Sequence, residues 1–227
     1  MWRMLRFDPI MGLAVCLLLS AACERARPTG RASEPIDVLN DPAAQPVGYD
    51  TSVTVSIKDG EFKLTLLDRY EISGVVVARQ TFSSGWSAKL APVDLSLAWG
   101  ELTRAEKAKS IKYRHSGRWY QYWIAADSPL PTANGPGGGH SRVSEIEVIE
   151  HSCNCHIIPA NTNVMLAAKS ARKKIPVRLS GFLVNVDGKY KGGDYWWYTS
   201  RSRSDTGDAS CEVFYVTCVQ LGDRLYE

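Results

Sequence analysis

The strongest constraint on this chain is a period of two in its apolar residues. Val53, Val55 and Ile57 alternate with Thr54 and Ser56. Asp59-Gly60 then interrupts, and Phe62, Leu64 and Leu66 resume the alternation. Apolar side chains at i, i+2 and i+4 share one face of an extended strand, and Asp-Gly suits a tight turn, so this stretch predicts a β-hairpin. The pattern recurs. Ile72–Ala78 reads as an apolar strand, and Leu95, Leu97 and Trp99 as a half-buried one. Trp119–Ala125, Glu145–Ile149, Val177–Val186 (turned at Asp187-Gly188), Tyr195–Ser200 and Cys211–Gln220 complete the expected strands.

Two helices are expected. Thr103–Lys109 opens on a Thr103/Glu106 capping box. Asn161–Lys173 opens on cap-forming residues and ends in Lys169, Arg172, Lys173 and Lys174, where the helix dipole favours positive charge. Ile72-Ser73-Gly74-Val75 is echoed by Leu179-Ser180-Gly181-Phe182. Glycine inside a strand marks a bulge, a bend or a close backbone approach, and a small barrel needs bends. The fold class expected is mainly β with one or two helices, as a small curled sheet or an OB-like barrel.

The first residues carry an address. Arg3 and Arg6 precede an apolar run over Ile10–Leu19 and small residues Ser20-Ala21-Ala22. That is the layout of a secretory signal peptide over 1–22. Leu-Ser-Ala-Ala-Cys resembles a bacterial lipobox, which makes Cys23 the expected lipidation site and an outer-membrane lipoprotein facing the periplasm the expected location. Ordinary cleavage after Ala22, giving a soluble periplasmic protein, is the alternative. Residues 23–50 lack an apolar period and read as a lipidated N-terminus and disordered tether, with a packed N-terminal arm as the alternative. Residues 51–227 then form a single β-rich domain. The composition, 44% hydrophobic and 22% charged, excludes a disordered chain, and a net charge of +3 gives no case for nucleic acid as a partner.

The chemistry-bearing residues fall in three groups. Cys153-Asn154-Cys155-His156 lies ahead of the second helix, and Cys211 and Cys218 lie in the last strand. An oxidising compartment favours disulfides, and Cys211 is expected to face Cys153 or Cys155. Free thiols, or zinc at Cys153, Cys155 and His156, stay open as alternatives. In the second group, His156, Arg203, Asp205 and Glu212 could converge on one polar site, with His156 as acid or base and Arg203 as an anion fork. Asp205-Thr206-Gly207 also matches the aspartic-protease triplet, but no second copy and no apolar lead-in accompany it, so a turn is the simpler reading. The third group is aromatic: Trp119, Tyr122 and Trp196, with Arg201 nearby, are candidate ligand-binding residues. Asn134–His140 is a glycine-rich loop without the Gly-Lys-Ser/Thr of a phosphate loop.

His156-Ile-Ile-Pro-Ala, Leu179-Ser-Gly-Phe-Leu-Val and Arg203-x-Asp205-Thr-Gly207-x-x-x-Cys211-Glu212 resemble a family of uncharacterised exported bacterial proteins. The resemblance implies no activity. The function expected is a non-catalytic binding or structural domain of the cell envelope, with protein or peptidoglycan as partner and the membrane reached through the lipid. A hydrolase or transferase using His156 with Arg203, Asp205 and Glu212 is the alternative.

Overall fold

A computed structural model of the chain describes residues 24–48, 51–125, 143–205 and 210–227. The expected signal peptide, Cys23, the Asn134–His140 loop and Thr206-Gly207 lie outside the described residues. Among the described residues, twelve strands and four α-helices follow in chain order. They are β1 (Gly30–Arg31), β2 (Ala43–Pro46), β3 (Ser52–Ile57), β4 (Gly60–Thr81), α1 (Trp86–Leu90), β5 (Val93–Ala98), α2 (Ala105–Ser110), β6 (Ile111–Ser116), β7 (Trp119–Ile124), α3 (Glu145–Glu150), β8 (Ser152–Pro159), α4 (Thr162–Ser170), β9 (Pro176–Tyr190), β10 (Gly193–Trp197), β11 (Glu212–Leu221) and β12 (Arg224–Tyr226).

The chain is mainly β, as expected. Ten strands form one mixed sheet, and β6 and β7 form a separate hairpin. Five long strands carry the architecture. β4 pairs with β5, β5 with β8, β8 with β11, β11 with β9, and β9 returns to β4. Every pair is antiparallel except β8–β11. This is a strongly curled sheet with the strand order of an OB fold: the third and fifth strands of the five are parallel, and α4 stands between the third and fourth. Bulges at Leu66/Asp68 and Val76/Ala78 in β4 and at Val216/Cys218 in β11 supply curvature.

The Ser-Gly echo falls on two strands that pair with each other, and Gly181 explains its own identity. A Cβ there would sit 2.0 Å from the Tyr215 carbonyl oxygen, so β9 and β11 approach closely only because it is glycine. α4 closes one end of the curled sheet. Asn161 accepts from the Val164 amide, and Val164, Ala167 and Ala168 are buried. The inner core holds Ile72, Leu95, Leu97, Cys155, Leu179 and Phe214. A second cluster, with Phe62, Leu64, Ile158, Val186 and Val213, packs on the outer face. β5 and β8 lie between the two clusters and are buried along nearly their whole length.

Several expectations are corrected. Ile72–Ala78 is the second half of the 22-residue β4, and β9 runs through Asp187-Gly188 to Tyr190. Glu145–Glu150 is a helix: Ser144 accepts from the Glu147 amide, a cap that outweighs the alternation of Ile146 and Val148. α2 starts at Ala105, and Thr103 bonds back to the Gly100 carbonyl within a 3-10 turn instead of capping. The described part of the expected tether is the packed arm. β1 pairs with β12, β2 pairs with β4, and Asp41 accepts from the Trp99 indole. No described helix is long and apolar enough to cross a membrane.

Candidate functional site

The period of two along β8 sorts its polar residues to opposite sides of the sheet. Cys153, Cys155 and Ile157 face inward with the core. Asn154 and His156 face outward, opposite Ser96 and Asp94 of β5 in the antiparallel register. On the parallel side Glu212 is opposite Cys155 and Val213 is opposite His156. Glu212 is therefore inward and His156 outward, with the sheet between them.

The outward group is built around Asp94, which is fully buried. Arg118, from the tip of the β6–β7 hairpin, donates to Asp94 Oδ1 at 2.7 Å and to the Ala91 carbonyl at 2.8 Å. His156 Nδ1 lies 2.9 Å from Asp94 Oδ2, an ion-pair distance, but the two atoms are misaligned for a hydrogen bond. Aromatic rings hold this cluster in place. Trp197 packs on the His156 ring at 4.5 Å, and the Arg118 guanidinium lies over Phe82 at 4.0 Å and over Trp197 at 4.9 Å. Ser96 Oγ donates to Asn154 and contacts His115 Nε2 at 3.0 Å.

Above this floor opens a cleft of about 510 Å³. Its floor is Asn154 and His156 of β8. One wall is Trp86 and Ser87, between β4 and β5. Trp196, Trp197, Ser202, Asp205 and Cys211, from β10 and the approach to β11, continue the lining, and Trp197 meets Trp86 edge-on at 5.8 Å. The β6–β7 hairpin adds Arg118, Trp119, Tyr120 and Tyr122. Trp119 and Trp196 are 55% and 69% exposed, too open to count as core. In an OB fold the second and third strands and the loops L12 and L45 form the ligand face. Here those places are β5–β8, the α1 connection and the segment from β10 to β11, of which β8 and the two connections line the cleft.

The inward group holds Cys153, Cys155, Glu212 and Arg203. Arg203 Nη2 donates to Glu212 Oε1. Burial pushes the Glu212 carboxyl up, against the pull of Arg203. Burial opposes the Arg203 charge most strongly, but Glu212, Cys153 and Tyr70 together more than offset it and hold the guanidinium above its ordinary value. A second cavity, of about 520 Å³, lies beyond Arg203 and is lined by Asp68, Tyr70, His151 and Arg201 among others.

The expected constellations are thus split. His156, Arg203 and Asp205 all reach the cleft, but Glu212 is on the far side of the sheet, and Asp205 accepts from Ser200 Oγ at 2.6 Å. The four do not form one acid–base set. Trp119, Tyr122 and Trp196 line the cleft, whereas Arg201 is engaged bidentately by Asp68 at 2.6 and 2.8 Å and lines the second cavity. No disulfide joins the described cysteines. Cys211 precedes Glu212 and so faces outward, where Asn154 Nδ2 lies 3.7 Å from its sulfur; Cys153 and Cys155 face inward. Burial pushes the Cys211 thiol up to about 12, which leaves it protonated at neutral pH. The same inward–outward split removes His156 from any zinc site with Cys153 and Cys155. Nothing in the sequence singles out Asp94, the centre of the outward group. Comparison with protein families, curated proteins and solved structures finds no match to this chain.

Proposed function

We propose that the protein is a binding domain for an extended glycan, held across the cleft between Trp119 and Trp196. The observation that carries this reading is the pairing of two solvent-open indoles with a polar floor, on the ligand face of an OB-like sheet. Aromatic faces stack on the apolar faces of sugar rings, while His156 and Asp205 on the cleft lining offer polar atoms to hydroxyls. Single-stranded nucleic acid is the other polymer that such a face suits, and it needs cations for its phosphates. Both cleft arginines are already committed to buried carboxylates, Arg118 to Asp94 and Arg203 to Glu212. That favours an uncharged or weakly charged polymer, and peptidoglycan glycan is the candidate if the chain is exported as its first residues suggest.

Tryptophan fluorescence titrated with N-acetylglucosamine oligomers tests this directly. Saturable change is expected, weakened about tenfold (~1.4 kcal/mol) in W119A and in W196A. Both side chains are exposed, so neither variant is expected to unfold the domain. No response to oligomers of any length, or a response to oligothymidylate alone, would overturn the glycan reading.

A further inference from the structure

We infer that Cys153, Cys155 and Glu212 form a binding site for a thiophilic divalent cation, Zn²⁺ in its natural form, inside the curled sheet. This goes beyond the glycan reading and does not depend on it. The two thiols lie side by side on the inner face of β8 with their sulfurs 3.6 Å apart. That is well beyond a disulfide bond, and it matches the ~3.7–3.8 Å between two sulfurs that each lie ~2.3 Å from one tetrahedral ion. The parallel register brings Glu212 opposite Cys155, and one carboxylate oxygen and both sulfurs lie within 4.8 Å of one another.

A second observation points to a missing ligand. Glu212 is fully buried; Oε1 accepts from Arg203, Oε2 has no well-aligned hydrogen-bond partner among the described residues, and the Cys153 thiol beside the carboxylate is itself one of the proposed ligands. The buried Tyr70 hydroxyl also lacks a partner among them, and Tyr70 interacts electrostatically with Glu212, Cys153 and Cys155. Orphaned polar atoms of this kind are costly unless something satisfies them. A cation bound by Oε2 and the two sulfurs would satisfy the carboxylate. It would also leave a fourth position for solvent on the Tyr70 side.

The charges balance in both states. Without the ion, the two thiols are neutral and Glu212⁻ offsets Arg203⁺. On binding, Zn²⁺ replaces the two thiol protons, which leave to solvent; two thiolates and Glu212⁻ then offset Zn²⁺ and Arg203⁺. No net charge is buried either way, which removes the main penalty for such a site. An approach from solvent exists on both sides. Cys153 lines the cleft, Tyr70 lines the second cavity, and Arg203 lines both.

The test is a Co²⁺ titration of the reduced protein carrying C16S and C23S, so that no other thiol of the leader contributes. One equivalent of Co²⁺ is expected to give a thiolate-to-cobalt charge-transfer band, displaced by Zn²⁺. Titration calorimetry in buffers of different ionisation enthalpy is expected to show release of two protons per ion. C153S and C155S are expected to lose the band, C218S to keep it, and E212Q to weaken Co²⁺ by more than the ~10-fold that loss of an outer partner costs. Absence of the band in the folded parent protein, or its persistence in both C153S and C155S, would overturn the site. Because the parent protein alone can fail the test, a variant that does not fold leaves the outcome decisive. Glycan binding is read separately, so failure of one reading does not carry over to the other.

Discussion

At the scale of single residues, the molecule spends its buried charges in pairs, and the cost of separating them is calculable. Glu212 is wholly buried and Arg203 is its partner. Removing one member of such a pair typically costs ~3–5 kcal/mol, because the other charge is left uncompensated. R203A is therefore expected to lower the urea midpoint by that equivalent; R201A strands the buried Asp68 carboxylate without its bidentate partner and should cost about 1–3 kcal/mol, less than R203A because Arg201 itself is half exposed. His115 gives a pH signature. Burial lowers its pKa below the ordinary 6.5; Asp94 opposes the shift, while His156, Lys173 and Arg118 reinforce it. The unfolded chain thus binds more protons than the folded one as pH falls below 6.5, so stability drops through that window and levels off once the folded-state value is passed. The slope of unfolding free energy against pH should be smaller in H115N than in the parent over the same window. An unchanged slope would assign the acid sensitivity elsewhere. Asp94 is the residue the sequence hid best. It alternates with Val93 and Leu95 as a solvent-facing residue would, and only the covering by Arg118 and Trp197 makes that face interior.

At the scale of elements, alternation proved a good guide to strands with one solvated face and a poor one elsewhere. The β3–β4 hairpin with its Asp59-Gly60 turn and β7 are legible in the sequence, because side-chain period and burial coincide. β8 is not. Its residues are buried on both faces, so a run containing Ser152, Asn154 and His156 resembles a loop until the neighbours on each side are known. α3 shows the reverse error. Six residues are too few for a helical period to declare itself, and the Ser144/Glu147 capping box was the signal that could have found it. Two variants test the element-level account. N161A removes the cap on α4 and is expected to cost about 1 kcal/mol. G181A forces a Cβ to within 2.0 Å of the Tyr215 carbonyl oxygen, where backbone and not a flexible side chain must yield. It should cost ~1–3 kcal/mol or more, and should raise hydrogen exchange at the β9–β11 pairing ahead of the β3–β4 hairpin.

At the scale of the whole molecule, the N-terminal arm decides whether residues before Thr51 are a leash or a part of the domain. A leash is expected from composition, since nothing in residues 24–48 repeats at a strand or helix period. The arm is held instead by single contacts spread across distant elements, which no local pattern encodes. Arg27 and Asn163 exchange two hydrogen bonds at the start of α4. Gln220 donates to the Glu34 carbonyl, Gly100 to the Val38 carbonyl, and the Trp99 indole to Asp41. β2 then adds a ladder along β4. Trp99 is fully buried, the largest such side chain among the described residues, so its indole N–H would be left without this acceptor if the arm were removed. At ~0.5–1.5 kcal/mol net per hydrogen bond, and more where a buried donor is orphaned, loss of the arm is expected to cost several kcal/mol. Two chains beginning at Glu24 and at Thr51 should therefore differ clearly in thermal midpoint, with D41A falling between them. Equal midpoints would restore the leash. A difference would mean that any anchor ahead of residue 24 is joined to the domain beside α4 and β12, with the arm bound along its surface. The reach of the cleft from a membrane would then be set by the few residues before the arm, and not by the whole stretch of 23–50.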